Sequence, residues 1–156
     1  MIDFNNHKTT FTYDPLMDRL VTRTPAAAFN ETPVTYTYYP NGQRKTMTDA
    51  SGTTQYTYDN QNRLLTKARP SAGTLTYTYD KAGNRLTVVS SNTNGTNVVY
   101  TYDNLNRLLT VADNNAAPGL KLTTYSYDPV GNLASTALAN GLAEPPSGRR
   151  LGLNLS

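Results

Sequence analysis

Tyr56-Thr57-Tyr58-Asp59-Asn60-Gln61-Asn62-Arg63-Leu64 spells a β-hairpin in nine residues. Side chains alternate along a strand, so Tyr56 and Tyr58 share one face and Thr57 takes the other. Asp59 suits the first position of a type I turn, where its carboxylate accepts a backbone N–H. Asn62, three residues on, is a residue type that tolerates φ > 0. The spacing therefore predicts a three-residue loop closing with a bulge. In that register Asp59 faces Arg63 and Tyr58 faces Leu64.

The phrase recurs. Phe11-Thr-Tyr-Asp14, Tyr36-Thr-Tyr-Tyr39, Tyr77-Thr-Tyr-Asp80, Tyr100-Thr-Tyr-Asp103 and Tyr125-Ser-Tyr-Asp128 bring it to six copies, and every tyrosine of the chain lies within them. The second aromatics are 25, 20, 21, 23 and 25 residues apart, a period that belongs to an array of supersecondary units. Pro15, Pro40 and Pro129 follow the Asp position, where a fixed φ fits. Gly42, Asn62, Gly83, Asn106 and Gly131 fall three residues after it and are expected at positive φ. The structural turn residues are thus Asp14, Asp59, Asp80, Asp103 and Asp128 with these five. Asp103 should face Arg107, and Tyr102 should face Leu108. Leu65, Leu86 and Leu109 are placed on the Thr side, giving both faces some apolar material and a sheet that curls. Return turns are expected at Asp49–Gly52, Pro70–Gly73, Asn94–Gly95 and Pro118–Gly119.

Two regions break the phrase. In the first copy Met17 replaces Gly or Asn, and Asp18 would oppose Asp14, so that hairpin is expected to be distorted or frayed. Ala137 to Ser156 carries Gly, Pro and Arg without strand periodicity and reads as a flexible tail. The organisation is then a lead-in over 1–8, six hairpins over 9–136 and a tail over 137–156. The fold class is all-β, an antiparallel meander with little or no helix.

Composition agrees with this and narrows function. The chain has 156 residues and 17.1 kDa, room for one ordinary domain or a short array. Leu, Ile, Val and Phe total 29 of 156 residues, while Thr and Asn number 25 and 17. A net charge of +3 and 12 tyrosines argue against disorder. Residues 1–140 hold 12 basic and 10 acidic groups, too even a balance for a nucleic-acid footprint. No stretch is long and apolar enough for a membrane span, and Met1 to Thr10 has no apolar core of a signal peptide.

No constellation for catalysis is present. The chain has no cysteine, and its one histidine, His7, stands in a polar stretch and reads as solvated. The turn aspartates supply one carboxylate per repeat, short of the several oxygen ligands calcium takes, so no metal and no cofactor are expected. Lys8, Arg44, Lys45, Lys67 and Arg69 read as a solvated rim. The tyrosines Tyr56, Tyr58, Tyr77, Tyr79, Tyr100 and Tyr102 admit two readings: a structural ladder supplying apolar area, or a platform stacking on a glycan. Burial of Tyr58, Tyr79 and Tyr102 separates the two.

The phrase Tyr-Asp-x-x-Gly/Asn-Arg/Asn-Leu, in Tyr58–Leu64 and Tyr79–Leu86, resembles the YD repeat of the Rhs family, over about residues 9 to 136. That family includes bacterial toxin carriers, the B and C components of insecticidal toxin complexes, and teneurins. The resemblance implies a β-ribbon that spirals into a hollow shell, here a partial one, with encapsulation or display and no catalytic residues in the repeats. It also implies export or a cell-surface location. With six repeats, the chain reads as a non-enzymatic scaffold, a short orphan or truncated array. A carbohydrate-binding module is the alternative. Edge strands near Thr9–Tyr13 and Leu133–Thr136 are weakly protected, so self-association is expected, as a dimer through edge pairing or stacked sheets, unless the tail covers the last strand. A glycan or another protein are the other partners considered.

Overall fold

The structure, a computed structural model, describes residues 1–4, 6–117 and 121–138 and the backbone of 143–144. Among the described residues thirteen strands follow one another in one antiparallel meander, in chain order. They are β1 (Thr10–Tyr13), β2 (Leu20–Thr24), β3 (Val34–Tyr38), β4 (Arg44–Asp49), β5 (Gly52–Tyr58), β6 (Leu64–Arg69) and β7 (Gly73–Tyr79), then β8 (Arg85–Ser90), β9 (Asn97–Tyr102), β10 (Leu108–Asp113), β11 (Leu122–Tyr127), β12 (Leu133–Leu138) and β13 (Ala143–Glu144). The only helical element among the described residues is a 3-10 turn at Ala27–Phe29. The chain divides into two compact units, Met1–Thr76 and Tyr77–Ser156.

Burial is thin in both. Strand β3 alternates half-buried Tyr36 and Tyr38 with exposed Thr35 and Thr37, as the two-residue period dictates. Among the described residues Thr54 at 3% exposure, Val88 at 9% and Pro25 are the buried ones, and no large side chain is fully enclosed. Stability in such an array comes from each hairpin lying on its neighbour, not from a shared core.

Every Tyr-turn hairpin whose pairing is described carries a register shift beyond its loop, additional to the bulge predicted at the loop itself. Tyr58 opposes Leu64, but Thr57 opposes Thr66, which leaves Leu65 as an extra residue. Val21, Lys45, Leu109 and Ala134 stand in the same position. Leu65 and Leu109, expected on the Thr side, are the unpaired extra residues and stand opposite no threonine. That place belongs to a second hydroxyl: Oγ1 pairs join Thr37 to Thr46, Thr57 to Thr66, Thr78 to Thr87 and Thr101 to Thr110 at 2.6–2.7 Å. Ser126 and Ser135 repeat the pair at 2.7 Å. Thr87 is likewise the hydroxyl partner of Thr78. The Thr side is a line of hydroxyl pairs, each adding roughly 0.2–1 kcal/mol.

The first hairpin is formed, and its turn is one residue longer than the others. Asp18, at φ 51°, takes the left-handed position that Met17 declines. The insertion moves Asp18 away from Asp14 and brings Arg19 onto it instead, with Nε 2.8 Å from Oδ2. The expected like-charge pair becomes an ion pair, and β1 still pairs with β2 from Thr10↔Thr24 to Tyr13↔Leu20.

The two ends also differ from expectation. The lead-in is a turn of the repeat's own kind: the Asp3 N–H bonds the His7 carbonyl, the Asn6 N–H bonds the Asp3 carbonyl, and Asn6 has φ 65°. His7 is not simply solvated, because its Nδ1 lies 3.2 Å from Asp3 Oδ2 and its ring meets Phe29 edge-on at 4.9 Å. At the other end, Ala137 and Leu138 belong to β12 and not to a tail, and β13 pairs with β12 as Thr136↔Glu144 and Ala137↔Ala143. The remainder of the predicted tail and the Pro118–Gly119 turn lie outside the described residues.

Candidate functional site

The chemically distinctive groups are concentrated where each Tyr-Asp phrase meets its turn. In the third hairpin the Asp59 carboxylate organises the loop: Oδ1 accepts the N–H groups of Gln61 at 2.8 Å and Arg63 at 2.9 Å, while Oδ2 accepts Arg63 Nε at 2.6 Å. Asp103 does the same with Leu105 and Arg107. At Asp80 and Asp128 the partner is an amide, Asn84 Nδ2 at 2.9 Å and Asn132 Nδ2 at 3.0 Å. The turn glycines and asparagines sit at φ 88° (Gly42), 65° (Asn62), 97° (Gly83), 60° (Asn106) and 93° (Gly131).

Hydrogen bonds to the charged form hold all five turn aspartates below the ordinary carboxylate range. The leading cause is the Arg63 backbone N–H for Asp59, the Arg107 backbone N–H for Asp103, the Met17 backbone N–H for Asp14, and the Asn84 and Asn132 side chains for Asp80 and Asp128. A carboxylate kept ionised and ringed by donors is a poor general acid. Its part is to fix the turn.

Tyr39 occupies the aspartate position in the second hairpin, yet the same turn forms, with the Gly42 N–H on the Tyr39 carbonyl at 2.9 Å. Asn41 Oδ1 accepts the Gln43 N–H at 3.2 Å in place of the missing carboxylate. The Tyr39 ring stands edge-on to Tyr58 with centroids 6.2 Å apart. Between this turn and the next lies an open cleft of about 370 Å³, walled by Tyr39 and Tyr58 with Asn41, Gln43 and Asp59 as its polar lining.

Four of the second tyrosines, Tyr38 and Tyr58 in the first unit and Tyr102 and Tyr127 in the second, form rungs between neighbouring hairpins. Pairing between successive hairpins begins one residue beyond each extra residue, at Thr22↔Thr35, Thr46↔Gln55, Thr66↔Thr76, Thr87↔Val99 and Thr110↔Thr124. Closer to the Asp turns, tyrosine hydroxyls take over from backbone amides. Tyr38 donates to the Leu20 carbonyl at 2.7 Å, Tyr58 to Arg44 at 3.0 Å, Tyr102 to Arg85 at 2.9 Å and Tyr127 to Leu108 at 2.8 Å. The acceptors Leu20, Arg44 and Leu108 each immediately precede a bulged position of the hairpin before. Burial raises the phenols of Tyr58 and Tyr102 above their ordinary range. Tyr79 is half-buried as well.

Cations cover the first tyrosines. The Arg44 guanidinium lies 5.0 Å from the Tyr36 centroid and 5.8 Å from that of Tyr56, and Arg85 lies 5.1 Å from Tyr100. Lys45 and Lys67 lie within 6.0 Å of Tyr39 and Tyr56. Arg44 and Lys45 are exposed, as a solvated rim requires, and Lys67 is half-buried, while each also lies over a tyrosine ring. Tyr77 is half-buried. Among the described residues no three His, Cys, Asp or Glu side chains gather as metal ligands, and no helix is long and apolar enough to cross a membrane.

The ladder yields a direct expectation. Tyr102→Phe removes the donor to the Arg85 carbonyl while keeping the ring, and should cost about 0.5–1.5 kcal/mol in chemical denaturation. An unchanged midpoint would show that water replaces the hydroxyl freely.

An array of hairpins with carboxylate-capped turns and a tyrosine-hydroxyl ladder defines a repeat scaffold of the Rhs type. Residues 41–142 match the Teneurin YD-shell model, and the chain belongs to that family of YD-repeat shell proteins. Among solved structures it is similar to the crystal structure of TcdB2-TccC3-TEV, at 21% identity and TM-score 0.67 over 93% of this chain and 8% of that one. It is also similar to TcdB2-TccC3-Cdc42, at 18% identity and TM-score 0.65 over 83% of this chain and 7% of that one. The Photorhabdus luminescens Tc holotoxin pore gives 21% identity and TM-score 0.66 over 93% and 8%. The chain thus spans under a tenth of the length of the structures it matches. No curated protein matches it.

Proposed function

We propose that this chain is a non-enzymatic YD-repeat scaffold that acts through interaction or self-association, as a structural element of an exported or surface-exposed β-shell. The observation that carries the reading is how the reactive-looking groups are used. The turn carboxylates are held ionised by turn donors, and the tyrosine hydroxyls are bonded to backbone carbonyls of the preceding hairpin. Location at the cell surface or outside it rests on the kinship with YD-shell proteins. Light scattering from 1 to about 100 μM tests the association, since strand pairing at exposed edges grows with concentration. A mass that rises with concentration is expected, and a constant monomer mass would remove self-association from the proposal.

A second reading, a carbohydrate-binding module, draws on the cleft beside Tyr39 and Tyr58. It is the weaker one. Guanidinium groups already lie over Tyr36, Tyr56 and Tyr100, and the cleft's amides Asn41 and Gln43 are already bonded to Asn62 at 3.2 and 2.9 Å. Chemical-shift changes confined to Tyr39, Asn41 and Tyr58 on titration with a neutral oligosaccharide would carry it, and their absence would end it.

A further inference from the structure

The tyrosine ladder has a direction, and its two ends are complementary. The second, third, fifth and sixth hairpins each reach back with a tyrosine hydroxyl to a carbonyl of the hairpin before, two residues ahead of its cross-strand threonine. In the first hairpin the reaching side chain is Tyr13, which is 54% exposed. In the last hairpin the offered carbonyl is that of Leu133, which opposes Tyr127 and precedes the bulged Ala134.

The register between such ends follows from the internal junctions. The residue after each bulged position pairs with the residue three before the next second tyrosine: Thr46 with Gln55 before Tyr58, Thr110 with Thr124 before Tyr127. Applied to β12 and β1, the rule pairs Ser135 with Thr10, Thr136 with Thr9 and Ala137 with Lys8.

Both ends hold a short flap in that register. Amides alternate between the two edges of a strand. The Asp14 N–H faces β2, through the Arg19 carbonyl, so the Thr9 N–H five residues earlier faces the opposite edge, where it bonds the Met1 carbonyl at 2.9 Å. Ile2 pairs with Lys8 beside it. At the far end β13 occupies Thr136 and Ala137. Met1–Ile2 and β13 therefore stand where strands of a neighbouring array would stand.

We propose that β12 of one chain and β1 of a second copy form a head-to-tail interface, with Tyr13 donating to the Leu133 carbonyl, and that the two flaps are competitive caps of it. The proposal rests on the self-association reading and adds its polarity, register and control. Because the two surfaces differ, the contact is heterologous and each added copy leaves one free β1 and one free β12, so uncapped chains should grow beyond dimers.

The chain has no cysteine, which permits a clean test. Full-length Thr10→Cys and Ser135→Cys chains are mixed with oxidised glutathione and resolved without reduction. Thr10 and Ser135 would be a non-hydrogen-bonded antiparallel pair, with Cα atoms close enough for a disulfide. The mixed product, in which a Thr10→Cys chain is joined to a Ser135→Cys chain, should predominate over either homodimer and over a Thr10→Cys with Ala137→Cys control. Adding Asp3→Ala, which uncaps the first flap's turn, or Glu144→Pro, which removes a flap amide, should speed it roughly tenfold, the worth of about one hydrogen bond each. Homodimeric products alone would overturn the head-to-tail polarity while leaving self-association standing. Mixed product unaffected by either flap variant would overturn the capping. No cross-linked product, with constant monomer mass in the flap variants, would overturn both the interface and the reading beneath it.

Discussion

Gly52→Ala should lower stability by about 2–4 kcal/mol, far more than replacement of a glycine at a turn tip. Two costs coincide at this return turn. Gly52 has φ 109°, where an L side chain is strained by about 1–2 kcal/mol. A Cβ there would also stand 2.8 Å from Pro70 Cγ and 3.1 Å from its Cβ. Proline is a closed ring and cannot swing aside as a lysine would, so the backbone of one return turn must shift. Gly42→Ala separates the two costs, since Gly42 shares a positive φ of 88° but has nothing within 4 Å of a built Cβ. It should lose only the conformational part, about 1–2 kcal/mol. At roughly 2–4 °C per kcal/mol for a chain of this size, thermal melting separates the variants. Equal losses would mean that Pro70 yields and the contact is not tight.

The sequence carried the hairpins and their turns because those depend on local chemistry. Asp59, Asn62 and Arg63 lie within five residues of one another, and turn type follows from which residues tolerate φ > 0. The regular register shift did not show. Leu65 and Leu109 look like ordinary alternating positions, and only the Thr57–Thr66 and Thr101–Thr110 hydroxyl pairs, made across the strands, reveal that a residue is skipped. A signal was present: a threonine at 46, 66, 87 and 110 stands nine residues after the threonine of each Tyr-Thr-Tyr, one too many for an unbulged three-residue loop. The ladder itself was hidden, because it joins residues 14 to 19 apart through backbone carbonyls, which the sequence does not distinguish. The Asp3–His7 turn was missed for another reason. It has the Asp, the left-handed Asn and the basic partner of the other turns, but no tyrosine announces it.

Acid should destabilise the array through its turns, and unevenly. Asp14, Asp59, Asp80, Asp103 and Asp128 are all held below the ordinary carboxylate value, and so is Asp49, chiefly by the Ser51 hydroxyl. A group whose folded pKa is depressed adds stability above its unfolded pKa, about 3.9 for aspartate, and loses it as pH falls through the folded value. The melting temperature should therefore be nearly level from pH 7 to about 5, then fall steadily below about pH 4 as the unfolded chain takes up more protons than the folded one. Asp59→Asn combined with Asp103→Asn should flatten that fall, because two of the titrating turns are then neutral at every pH. The second turn supplies an internal control. Tyr39 replaces the aspartate there, and the Gln43 N–H is held by the uncharged Asn41 amide, whereas the Arg63 and Arg107 N–H groups depend on carboxylates. Residue-resolved amide exchange at pH 3 against pH 6, corrected for intrinsic rates, should show protection falling at Arg63 and Arg107 but holding at Gln43. Uniform loss at all three would mean that the hairpins melt together and that the turns do not set the acid response one by one.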